Sequence, residues 1–161
     1  MKKIIQNQKE YKKKDIALFT MLRKNSRMSL TDISKATQIP VSTVYERLRQ
    51  YYGKVIKKYT VLLDFVQLGY STHVTFFLKV KNKHKQRLLM HIQTQHNVNN
   101  AYCINNGFDL CCDAVFRNLH ESEAFAKHLE EEYNISRIQS YYILAEVKRE
   151  GFYLQPAVGW L

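Results

Sequence analysis

Histidine and cysteine are the residues of this chain best suited to metal or nucleophilic chemistry. His73, His84, His91, His96, His120 and His128 include no pair at a persuasive metal-ligand spacing. There is no nucleophile motif, phosphate loop or HExxH. Cys103, Cys111 and Cys112 form no CxxC pair and sit among apolar residues. They read as reduced thiols filling core or face positions in a cytosolic protein; a vicinal Cys111–Cys112 redox or metal site is the alternative. No catalytic set, no metal site and no cofactor are expected.

A different chemistry is spread along residues 41–52. At 100° per residue, Val41, Val44, Leu48 and Tyr51 share one helical stripe. The opposite side carries Ser42, Thr43, Glu46, Arg49 and Gln50, with Tyr45 and Arg47 on the flanks. Short hydroxyls, an amide and two guanidiniums are the donors and acceptors that meet base edges and phosphates in a DNA major groove. The same face could instead be plainly solvated, closed by a Glu46–Arg49 or Glu46–Gln50 pair. Lys54, Lys57 and Lys58 follow at the helix end, where they suit phosphate contacts that fix register.

The charge distribution favours the nucleic-acid reading. Residues 1–64 hold 15 Lys/Arg against 5 Asp/Glu, whereas residues 65–161 hold 10 against 9. A basic module joined to a near-neutral one is built to meet a polyanion. The basic half lacks the amphipathic Trp/Leu face that would insert in a membrane surface. No apolar run reaches the roughly 18–20 residues of a membrane helix, and Met1–Gln6 has no signal-peptide core. A cytoplasmic location is expected.

The elements that must position that face follow from capping and periodicity. Residues 1–14 form a Lys-rich arm, either solvated or touching phosphates. Asp15 can cap a first helix whose apolar face is Ile16, Phe19 and Leu22, with Leu18. Ser29 and Asp32 resemble a capping box opening a second helix with Leu30, Ile33 and Ala36 on one face. Thr37–Pro40 is a tight connection, and Gly53 ends the third helix. Two short helices joined by such a turn form a helix-turn-helix pattern. Residues 55–64, rich in β-branched and aromatic types, predict a strand.

Beyond a linker at 65–70 the pattern becomes strand, helix, strand, strand, helix, strand. Strands are expected at 71–81, 98–104, 108–117 and 136–147, and helices at 83–95 and from Asn118, whose box partner is Glu121. This is the ferredoxin-like βαββαβ order, with a four-stranded antiparallel sheet and two helices on one face. The fold class is α+β: a winged-type helix-turn-helix domain, then a ferredoxin-like domain. The divisions are 1–14 (arm), 15–64 (head and its strand), 65–70 (linker), 71–150 (α/β domain) and 151–161 (hydrophobic tail with Phe152, Tyr153 and Trp160). Strand four looks apolar on both faces: Ile138, Tyr142 and Leu144 on one, Tyr141, Ile143, Ala145 and Val147 on the other. An uncovered apolar sheet face predicts a partner, most economically a two-fold homodimer.

In ordered pieces over residues 15–150 the sequence resembles the Lrp/AsnC (feast/famine) family of transcriptional regulators. The pieces are Asp15-Ile16 with Leu22, Asn25–Ile33, Ile39–Leu48, Gly53–Thr60, Leu68-Gly69-Tyr70, Gly107–Leu110 and Tyr141–Lys148. The resemblance implies sequence-specific binding to double-stranded DNA at pseudo-palindromic operators. It also implies dimerisation through the α/β domain, with tetramers, octamers or larger rings, and in many members an amino-acid effector held between dimers. By position that effector would meet Asn105, Asn106, Gly107, Phe108, Asp109 and Ser140. The family's glycine three residues before the aspartate is Asn106 here, with Gly107 one later, so the loop could take another effector or none. The alternatives are a siroheme-decarboxylase-like enzyme, which the same two-domain fold resembles, and a ligand-sensing module with an incidental helix-turn-helix.

Overall fold

The computed structural model describes residues 13–152. The chain divides into two units: one comprises the residues up to Leu62 together with the chain from Glu150, the other is Leu63–Arg149. The expected arm at 1–14 and tail at 151–161 lie largely outside the described residues.

The first unit is a head of three helices, α1 (Lys13–Lys24), α2 (Leu30–Thr37) and α3 (Val41–Tyr51). Leu18, Ile33, Ile39 and Val44 form its core, with Leu22, Met28, Leu30, Leu48 and Tyr51 packed around them. Burying each of the four core side chains stabilises the head by about 1.5–3 kcal/mol. The Ser29 hydroxyl caps α2 by accepting the Asp32 N–H at 3.1 Å, and donates to the Asp32 carboxylate at 2.6 Å. The carboxylate therefore bonds the serine side chain, a variant of the box expected from sequence. Gln38 leaves α2 in the left-handed region (φ 53°), and the Ser34 hydroxyl donates to the Ile39 carbonyl at 2.6 Å, tightening the turn into α3.

Several local expectations are corrected. Lys13 and Lys14 are helical, so Asp15 lies inside the first turn of α1 and not at its cap. Asp15 is buried because it pairs with Arg47. Ala36 is exposed and Thr37 takes the inward place, its hydroxyl donating to the Ile33 carbonyl at 2.7 Å. Val41 is 42% exposed and does not join the packed stripe of α3. No strand forms at 55–64. After α3 the chain turns sharply at Gly53 (φ 76°), the Tyr51 carbonyl accepting from the N–H groups of Lys54, Val55 and Ile56. Only the isolated bridge Tyr52–Ile56 is β-like there. A β-branched run becomes a strand only beside a neighbour that takes its backbone hydrogen bonds, and this stretch has none among the described residues.

The second unit is βαββαβ, as expected: β1 (Thr72–Val80), α4 (Asn82–Thr94), β2 (Val98–Cys103), β3 (Leu110–Phe116), α5 (Leu119–Tyr133) and β4 (Ile135–Tyr142). The antiparallel sheet has the order β2-β3-β1-β4. One face buries Val74, Phe76, Leu78 and Val80 of β1 and Leu110, Cys112, Ala114 and Phe116 of β3. Against them pack Leu88 and Ile92 of α4 and Leu129 and Tyr133 of α5. Asn118 caps α5 by accepting the Glu121 N–H at 2.9 Å.

The other face carries no helix, and its make-up differs from the expected apolar surface. In register it presents His73, Thr75, Phe77 and Lys79 of β1, Cys111, Asp113 and Val115 of β3, and Arg137, Gln139 and Tyr141 of β4. Phe77 packs between Phe108 and Tyr141, with ring centroids at 5.7 and 5.5 Å. His73 meets the Asp113 carboxylate, which also accepts from Asn100 at 3.2 Å. The face thus mixes aromatic and polar side chains, Tyr102 of β2 included. Strand four ends at Tyr142, with the Ile143 N–H still donating to the His73 carbonyl at 2.9 Å, so Leu144–Val147 extend past the sheet, Leu144 and Val147 almost fully exposed.

Candidate nucleic-acid interface

The α3 face predicted to read bases is on the surface. Ser42, Tyr45, Glu46, Arg49 and Gln50 are exposed, as are Lys54, Lys57 and Lys58 beyond the helix, while Thr43 is half-buried. Glu46 and Arg49 make no ion pair with a described residue, so the closed pair considered from sequence is not formed. What holds the helix in place is the packed Val44–Leu48–Tyr51 stripe, with Tyr51 edge-on to Phe19 at 4.9 Å.

Arg47 stands apart from that set. Its guanidinium donates to Asp15 at 2.7 Å, with the Asp15 side chain only 7% exposed. A buried carboxylate with a single charged partner cannot give it up cheaply, so Arg47 ties α3 to α1 and does not reach outward.

A further feature escaped the helical-wheel argument. Tyr45, Leu48, Arg49 and Tyr52, spaced i, i+3, i+4 and i+7, line an open groove with Tyr59 from the turn beyond. The Tyr52 and Tyr59 rings are parallel within 12°, with centroids 6.0 Å apart. The spacing of Tyr45 and Tyr52 is visible in the sequence; the return of Tyr59 onto the helix is not, because residues 55–64 have the composition of a strand.

The second candidate site, the Asn105–Asp109 turn, is organised around its own aspartate. Asn106 (φ 63°) and Gly107 (φ 101°) both take left-handed conformations, so asparagine serves where glycine is commoner. The Asp109 carboxylate accepts from Lys85 Nζ at 3.0 Å and from the Val80 N–H at 3.2 Å, and lies 3.3 Å from Lys79 Nζ. Lys85 above all, then Val80 and Lys79, hold its pKa below the ordinary carboxylate value, against burial that pushes it up. The ammonium acceptor expected from sequence is therefore already neutralised within the chain. Ser140 lies elsewhere: it stands opposite Phe76 on β4, and β1 separates β4 from β3 and the turn. One chain does not bring Ser140 and Asp109 together.

Comparison with known proteins places this architecture. The Lrp/AsnC ligand binding domain matches residues 74–152. An HTH-type transcriptional regulator of Pyrococcus horikoshii is 26% identical over 143 residues, covering 88% of this chain and 96% of the relative. LrpC of Bacillus subtilis is 32% identical over 92 residues, 56% of this chain and 63% of LrpC. The chain belongs to the Lrp/AsnC family of transcriptional regulators. The solved structure of B. subtilis LrpC superposes with a TM-score of 0.79 at 24% identity, covering 86% of this chain and 98% of LrpC. That of a Neisseria meningitidis regulator in complex with L-Met gives 0.81 at 17%, covering 87% and 94%. These likenesses establish the fold.

These relatives are transcriptional regulators and not the tetrapyrrole enzyme weighed from sequence. The chain's cysteines fit that assignment. Cys111 and Cys112 alternate across the strand, opposite Phe77 and Phe76, so they face opposite sides of the sheet. Burial first, then Cys111 and Asp113, push the Cys112 thiol up to about 12. A thiol kept protonated is a poor nucleophile and a poor metal ligand. Among the described residues no three His, Cys, Asp or Glu side chains are placed to hold a metal ion, and no helix is long and apolar enough to cross a membrane.

Proposed function

We propose that this Lrp/AsnC member binds specific duplex DNA sites through α3 and regulates transcription from them in the cytoplasm as a homodimer or larger assembly. The observation that carries the reading is the exposed α3 face of Ser42, Glu46, Arg49 and Gln50, continued by Lys54, Lys57 and Lys58. Arg49 suits bidentate contact with guanine and Gln50 with adenine; Ser42 and Thr43, in the first turn, suit base edges or phosphates. The lysines suit phosphates. Arg47 acts as a strut through Asp15. Two heads in a dimer would read the two halves of a pseudo-palindrome.

The test is selection of a binding site from random duplexes, followed by anisotropy titration. Arg49→Ala is expected to weaken operator binding by about 1–3 kcal/mol and relax specificity at one base pair. Lys57→Ala should weaken all duplexes alike and flatten the salt slope by about one unit. Undiminished operator binding by Arg49→Ala would overturn the assignment of this face.

The effector is a separate part of the reading. The N. meningitidis regulator was solved with L-Met, which supports a small-molecule site in this fold. Here an amino acid at Asn105–Asp109 would have to draw Asp109 from Lys85 and Lys79, and Ser140 would have to come from another subunit. Calorimetric titration with the twenty amino acids, repeated on Asp109→Ala, decides between an effector site and a turn held by its own ion pairs. Heat in the first that vanishes in the second identifies the site.

A further inference from the structure

Of the residues that line the tyrosine groove on the head, Arg49 alone has a contact in the duplex reading. Tyr45, Tyr52 and Tyr59 are 52%, 58% and 46% exposed, three large rings presented together on one small unit. Leu48 forms the floor of the groove and packs on the head core beneath it. The lining is mostly apolar, with the Arg49 guanidinium as its charged member. On the helix wheel this stripe lies beside the face of Ser42, Glu46 and Gln50, about 100° round from its centre. Its tyrosines therefore face away from Ser42, Glu46 and Gln50, with Arg49 on the border between the two faces.

Exposed rings gathered in this way are costly in water unless something covers them, and the surrounding charge indicates what. Lys54, Lys57 and Lys58 are exposed on the turn that carries the chain from Tyr52 to Tyr59. Aromatic platforms edged by cations are how proteins hold nucleic-acid strands with unpaired bases: the rings take the bases and the cations track the phosphates. An enclosed small molecule suits the groove less well. Its volume of about 350 Å³ is at the small end of the roughly 300–1,000 Å³ of such sites, and it is open along its length. Burial, then the neighbouring Tyr52, push the Tyr59 phenol above its ordinary value.

We propose that the Tyr45–Tyr52–Tyr59 groove binds single-stranded nucleic acid, stacking unpaired bases on Tyr52 and Tyr59 while Arg49, Lys54, Lys57 and Lys58 hold the phosphates. This activity shares Arg49, Lys54, Lys57 and Lys58 with the duplex reading, and the tyrosines are what set it apart. An unpaired strand could be DNA or RNA, since both offer the same base faces and phosphates.

The test uses the full chain and three fluorescein-labelled probes of one mixed sequence of about 12 nucleotides: single-stranded DNA, single-stranded RNA and blunt duplex DNA. Anisotropy should show the single strands bound more tightly than the duplex, the stronger of the two naming the source. Tyr52→Ala and Tyr59→Ala should each weaken strand binding by about 5–100-fold, the loss of one base stack, with the duplex changed by less than about two-fold. Tyr52→Phe and Tyr59→Phe should bind as wild type, because stacking needs the ring and not the hydroxyl. Tyr102→Ala, which removes an exposed tyrosine of the sheet unit, should have no effect. Strands held no more tightly than duplex would overturn the proposal. So would alanine variants that lose strand and duplex equally, or lose neither. Should an alanine variant unfold by circular dichroism, photocrosslinking of the wild type to a thiopyrimidine-bearing strand decides. Crosslinks in the peptides bearing Tyr52 and Tyr59 sustain the groove, and crosslinks confined elsewhere overturn it.

Discussion

Arg47 belongs to the polar side of α3 by its position in the sequence and to the interior by its partner. Its pairing with Asp15 makes α1 and α3 depend on one charge contact. Arg47→Ala would strand a buried carboxylate, and we expect a loss of about 3 kcal/mol of head stability in urea unfolding. Replacing both partners by leucine should recover much of it. DNA binding lost at unchanged stability would instead mark Arg47 as a base contact. A second residue reports through pH. His91 of α4 lies against His128 and Tyr133 of α5 with tilted rings, the centroids at 5.6 and 5.0 Å. Burial first, then His128, hold its pKa below the ordinary 6.5. Folding therefore favours the neutral ring: its contribution is complete above about pH 6.5 and is lost as pH falls through that value toward the folded pKa. Chemical denaturation between pH 7.5 and about 5 should show His91→Gln losing less stability on acidification than wild type. Equal slopes would assign the acid sensitivity to other groups.

At the scale of elements, Gly53 is the hinge of the head's last turn. Its φ of 76° suits glycine, and an added Cβ would meet nothing within 4 Å. Gly53→Ala should therefore cost only backbone strain, about 1 kcal/mol in thermal unfolding; a much larger loss would mean that the turn itself rearranges. Where such elements could be read from sequence depended on how local their causes are. The N-caps at Ser29 and Asn118, though not the one expected at Asp15, and the βαββαβ alternation were legible because a cap is decided within four residues and an alternating strand within a few more. The strand expected at 55–64 was misread, and the fourth strand, expected at 136–147, was carried too far, because β-branched composition says nothing of whether a neighbour exists to pair with. The exposed face of α3 was legible from periodicity. The neutralisation of Asp109 was not, since Lys79 and Lys85 come to it only once β1, α4 and β3 have folded together. The inward turn of Arg47 likewise depends on a carboxylate 32 residues away.

For the molecule as a whole, the uncovered sheet face is where self-association is expected, now on mixed aromatic and polar grounds. Tyr141 is 52% exposed there beside Phe77. Tyr141→Glu should shift the full chain from dimer or larger species to monomer in sedimentation velocity at micromolar concentration, without lowering the helix content seen by circular dichroism. An unchanged sedimentation coefficient would move the interface elsewhere. The sheet unit has one more property. Arg149, its last residue, donates to the carbonyl of Leu63, its first, at 3.1 Å and lies over the Phe65 ring at 5.1 Å. The unit therefore begins and finishes at one seam. Such a unit can be circularly permuted: residue 149 spliced to residue 63, with new termini opened at Asn105–Gly107, should yield the same sheet. It can also be cut out or exchanged at that single seam as an interchangeable cassette, so the fold allows the reading head and the sheet to diverge independently.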